Sequence, residues 1–128
     1  MSFRAAACAT PTVAEFYCTG LGALEPTDRQ RISCRNTRLL TGSINVDAAL
    51  RASQPTASRW DYGLGYGSGR RERAIWVEVH PASSHHIDDM LKKLTWLRTW
   101  LRDEAPRLRK LDSGEYHWIS TDGTIGME

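Results

Sequence analysis

Cysteine is scarce and follows no pattern. Cys8, Cys18 and Cys34 form no C-x-x-C pair and leave an odd thiol, so neither a disulfide framework nor a thiolate zinc site is encoded. A reducing, cytoplasmic setting is expected, with Cys18 and Cys34 as core thiols. No apolar run approaches the roughly 20 residues that a membrane-spanning helix needs. The opening MSFRAAACATPTVAEF also lacks the apolar stretch of a secretory signal, and no membrane partner is expected. Lysine is rare, 3 against 14 arginines. A net charge of +2 neither demands nor excludes nucleic acid. There is no repeat, low-complexity tract or interdomain linker, and 128 residues suit a single domain spanning 1–128.

The pattern along the chain predicts helices mixed with strands. Residues 10–20 read as a helix opened by Thr10 or Thr12 and stopped at Gly20. Residues 31–35 alternate around Ile32 and Cys34 as a short strand, and residues 38–46 form a strand interrupted near Gly42. Asp47 is placed to cap a brief helix ending before Pro55. Residues 59–66 and 73–80 are rich in aromatic and β-branched side chains and predict a hairpin. The glycines from Gly63 to Gly69 have no following helix and no Gly-Lys-Ser/Thr, so they read as a flexible hairpin and not a phosphate-binding loop. A long helix runs from a cap at Ser83 or Ser84 to about Ala105. Its apolar stripe comprises Ile87, Met90, Leu91, Leu94, Leu97 and Leu101, and Pro106 ends it. A last strand spans 115–121, with a turn at Asp122-Gly123. The expected fold is α/β (α+β), a small mixed sheet with flanking helices.

Two acids are conspicuous by position. Asp61 opens one hairpin strand and Glu78 lies between Val77 and Val79 in the other, where a carboxylate is costly unless satisfied. Strands lie about 4.8 Å apart, so carboxylates on one face can share a cation, and His80 projects from the same face as Glu78. Two carboxylates favour Mg2+ or Mn2+ over zinc. The alternative is structural: Glu78 pairs with Arg59, Arg71 or Arg73, and Asp61 bonds backbone amides. Asp47 reads best as a cap, although it too can approach such a metal. His85 and His86 diverge by about 100° on a helix and suit the surface better than one shared metal.

The sequence W60-D61, sixteen residues, then E78-V79-H80, with a helix after it, resembles the PD-(D/E)XK nuclease superfamily. The resemblance implies a restriction-endonuclease-like αβββαβ order. It gives Asp61 and Glu78 the role of metal ligands for divalent-metal-dependent phosphodiester hydrolysis, and Glu15 that of an accessory acid. Trp60 stands where the family has proline. His80 stands where it has lysine, so His80, or Lys92 or Lys93 from the following helix, would orient the attacking water.

Arg29, Arg31, Arg35 and Arg38 cluster, and Arg70, Arg71 and Arg73 sit on the hairpin loop, where they suit DNA or RNA phosphate contacts beside the carboxylates. If Leu94 marks the core direction, Trp96 and Trp100 point roughly 120–160° away. Their face is then covered by the fold, by a second copy in a homo-oligomer, or by a protein partner. A non-catalytic interaction module, acting as a homodimer or as a subunit of a larger assembly, is the alternative to a nuclease.

Overall fold

In the computed structural model, residues 1–81, 87–121 and 125–127 are described. The predicted caps Ser83 and Ser84, His85, His86 and the Asp122-Gly123 turn lie outside them. The elements are α1 (Phe3–Cys8), β1 (Tyr17–Thr19), α2 (Pro26–Arg29), β2 (Ile32–Cys34), β3 (Leu40–Asn45) and α3 (Val46–Leu50), then β4 (Tyr62–Tyr66), β5 (Arg73–His80), α4 (Ile87–Asp103), α5 (Pro106–Leu111), β6 (Asp112–Ser120) and β7 (Ile125–Met127). Five strands form one mixed sheet in the order β1-β3-β4-β5-β6, antiparallel except for the parallel pair β5/β6. Strands β2 and β7 form a separate parallel pair. This is a small mixed α/β fold with helices against a five-stranded sheet.

Strand alternation divides the core in two. Ala74 and Trp76 of β5 face a cluster with Phe3, Ile44, Leu97, Trp100 and Leu108, on the helix side. Ile75 and Val77 face the opposite cluster with Leu24, Ile32, Tyr62, Leu64 and Tyr66. Gly63 and Gly65 are buried within β4 and are not flexible loop residues. They keep the helix side of the strand bare: a Cβ at Gly63 would lie 2.6 Å from the Trp76 ring, and one at Gly65 2.6 Å from Phe3. The turn itself uses Gly67 and Gly69, whose φ values are +122° and +56°, a region that favours glycine.

The hairpin, the 31–35 strand and the break in β3 near Gly42 agree with the sequence reading. Residues 10–20 do not form a helix: a 3-10 turn at Ala14–Phe16 leads into β1, whose Tyr17 pairs with Ile44. The first helix lies earlier, where Ser2 Oγ accepts from the Ala5 N–H and Phe3, Ala6 and Ala7 bury one face. Asn45, not Asp47, caps α3, its side chain accepting from the Ala48 N–H. Pro106 ends one helix as expected and also begins α5, which the sequence reading lacked.

The buried face of α4 is rotated from the expected stripe. Leu97, Trp100 and Leu101 are buried, while Ile87 and Leu91 are 68% and 51% exposed. At about 100° per residue, Lys93 and Trp100 lie roughly 40° and 60° to one side of Leu97, and Ile87 and Leu91 roughly 80° and 120° to the other. This rotation carries Trp100 into the core and Lys93 onto Glu78. No helix among the described residues is long and apolar enough to cross a membrane.

Candidate functional site

The register of β4 and β5 pairs Tyr62 with Val77, so Asp61 and Glu78 stand opposite one another one step beyond, on the helix side. Their carboxyl groups lie close enough to share a hydrogen bond, and each also takes a backbone amide of the other strand. The Asp61 N–H donates to Glu78 Oε1 at 3.0 Å, and the Val79 N–H donates to Asp61 Oδ2 at 2.9 Å. Each carboxylate thereby satisfies a backbone amide at the end of the ladder. The Asp61 carbonyl also accepts from the N–H groups of Val46 and Asp47 at the start of α3. Lys93 reaches down from α4, and its Nζ donates to Glu78 Oε2 at 2.6 Å.

Glu78 is 1% exposed. Burial, followed by repulsion from Asp61, pushes its carboxyl up to about 8 despite the Lys93 ammonium. Asp61 is likewise raised by burial, opposed by the Val79 amide and Lys93. Loss of hydration outweighs one contact with a lysine that is itself partly solvated.

His80 projects from the same face, as its spacing requires. The Trp118 indole N–H donates to His80 Nε2. An indole can only donate, so this nitrogen is the acceptor and the ring proton sits on Nδ1. Nδ1 is buried without a hydrogen-bond partner among the described residues. The lone pair that would take a proton from water is therefore committed to Trp118. Glu78, His80 and Lys93 line a pocket of about 230 Å³ together with Ser58, Asp89 and Trp118.

Both Glu78 oxygens are engaged, Oε1 by the Asp61 amide and Oε2 by the Lys93 ammonium. Among the described residues no group of three or more His, Cys, Asp or Glu side chains is placed to hold a metal ion.

The remaining candidates are dispersed. Glu15 is exposed on the 3-10 turn before β1. Asp47 pairs with Arg59 at 2.9 Å and Arg51 at 2.7 Å, and among the described residues the ion-pair partner of Glu78 is Lys93, not Arg59 or a hairpin arginine. Arg70 and Arg71 are exposed on the 3-10 turn Gly69–Arg71, and Arg73 pairs with Glu115 at 3.2 Å. This turn is not beside the carboxylates. It closes the other end of the hairpin, about 17 Å from Glu78 at roughly 3.3 Å per strand residue. Lys92 is exposed.

Trp96 and Trp100 stack with ring centroids 6.1 Å apart. Trp100 is buried within the chain, and Trp96 packs on the same core and donates to Gln54. The chain itself thus covers the face proposed for a homo-oligomer or protein partner. Cys18 is exposed and Cys34 only half-buried, so Cys18 is not a core thiol.

Sequence reasoning missed Asp112, which accepts from Trp76 Nε1 at 2.9 Å and from the Tyr116 hydroxyl at 3.1 Å. It also missed a groove of about 590 Å³ between α4, α5 and β6. No signal marked either, because both depend on where α5 returns the chain.

Comparison of the chain with protein families, curated proteins and solved structures finds no match.

Proposed function

We propose that the protein is a non-catalytic binding module in which Asp61, Glu78 and Lys93 form a structural lock. The observation that carries this reading is the occupancy of the carboxylates: Asp61 Oδ2 and Glu78 Oε1 accept backbone amides, and Glu78 Oε2 accepts from Lys93. Groups fixed in this way hold the open ends of β4 and β5, the start of α3 and the first half of α4 together. Plasmid incubated with the protein and Mg2+ or Mn2+ tests the reading. Supercoiled DNA should persist, whereas metal-dependent nicking that disappears in Glu78→Gln would replace this reading with a nuclease.

That rival, a PD-(D/E)XK-like nuclease, draws support from the meander β3-β4-β5, the passage through α4 and α5, and the parallel return in β6. It also draws on Glu78, His80 and Lys93 lining one pocket. The rival requires Lys93 to leave Glu78 before any metal binds.

A further inference from the structure

The groove of about 590 Å³ lies on the helix side of β6, with Arg98, Thr99 and Arg102 from α4, Arg109 from α5, and Asp112 and Tyr116 from β6 among its walls. The acid in that wall is mostly engaged within the chain. Asp112 Oδ1 takes the Trp76 indole and the Gly114 N–H at 2.9 and 3.1 Å, and Oδ2 takes the Tyr116 hydroxyl. Arg102 is matched by its neighbour Asp103. Arg98 lies over the Tyr116 ring at 5.8 Å, and neither it nor Arg109 has a carboxylate partner among the described residues. The groove therefore presents positive, donor-rich walls, which are complementary to carboxylates.

A second observation concerns the rim. β6 is the last strand of the five-stranded sheet, paired with β5 on one side and with no strand on its other side among the described residues. A chain segment added along that edge would direct alternate side chains to the helix side, toward Arg98 and Arg109. We propose that this edge and groove receive an extended segment of a partner protein with acidic residues at alternate positions. The proposal rests on the binding-module reading and gives its partner a chemistry.

Two other occupants fit less well. A second copy paired edge to edge would bring like arginines together across the symmetry axis. A nucleic-acid backbone would use the arginines but leave the open β6 edge unused.

The test is titration of the 15N-labelled full chain, followed by NMR. The probes are an acetylated decapeptide of alternating Glu and Thr, its Lys–Thr counterpart and a short DNA duplex. The Glu–Thr peptide should shift the amides of Thr99, Arg109, Gly114 and Tyr116 saturably, and the Lys–Thr peptide should not. Arg98→Glu with Arg109→Glu should weaken the acidic peptide at least about tenfold and admit the basic one. Arg98→Gln with Arg109→Gln should weaken the acidic peptide without admitting the basic one. The amide spectrum reports whether each variant folds. Unmoved groove amides with the acidic peptide, equal response to both peptides, or response to duplex DNA alone would overturn the proposal. None of these results bears on nicking by the Asp61–Glu78 site, so the two readings fail separately.

Discussion

Asp61 and Glu78 each secure the strand that carries the other: the Asp61 N–H donates to Glu78 Oε1, and Asp61 Oδ2 accepts from Val79, the residue after Glu78. Two carboxyl groups placed this close are not both charged without cost. Lys93 offsets part of the repulsion, and retention of a proton by Glu78 offsets more.

Stability should accordingly fall as pH rises from about 5 to 8. The Glu78 carboxyl stands at about 8 in the folded chain against an ordinary 4.5, so between those values the folded state holds a proton that the unfolded state releases. The folded state then binds more protons, and stability declines with pH by up to about 1.4 kcal/mol per unit. The raised Asp61 adds to the decline with the same sign. Denaturant melts at pH 5 and pH 8 check this, and Glu78→Gln should flatten the difference.

Lys93→Met should steepen that decline. Removing the ammonium leaves Glu78 buried beside Asp61, a loss of about 1–3 kcal/mol that is largest near pH 8, where Glu78 ionises, and small near pH 5. Chemical denaturation of the single and double variants with Glu78→Gln measures the coupling, and the double variant should recover most of the loss.

Gly63→Ala should cost about 1–3 kcal/mol through overpacking, because the new methyl would meet the fully buried Trp76 ring. Gly65→Ala should behave alike against Phe3. These substitutions distinguish buried strand glycines from turn glycines, and thermal unfolding checks them.

Trp100→Ala should lower stability by about 3–5 kcal/mol without changing the mass measured by light scattering. Trp100 is 2% exposed within one chain, so its loss opens an internal cavity and removes no contact between copies.

The hairpin and its site were legible because their signals are local. β-branched and aromatic runs mark β4 and β5, and a period of two puts Trp76, Glu78 and His80 on one face. Lys93 was legible as one of two lysines, with Lys92, within reach of the site from the following helix. What escaped depends on tertiary context. The expected α4 stripe was centred on Leu94, whereas the buried face is centred on Leu97, with Trp100 in the core and Lys93 on Glu78. Residues 10–20 carry helix-cap chemistry, but pairing of Tyr17 with Ile44 draws them into the sheet. The occupancy of Glu78 by an amide, and the distance of the arginine turn from it, follow from register and hairpin length, which composition does not encode.

The most direct measurement is a thermal shift of the parent chain and of Asp61→Asn with Glu78→Gln, each with and without Mn2+ or Mg2+. With a structural lock, metal leaves the melting temperature of both proteins unchanged. A saturable, metal-dependent rise in the parent that is absent in the double variant would contradict the lock and identify the pair as metal ligands.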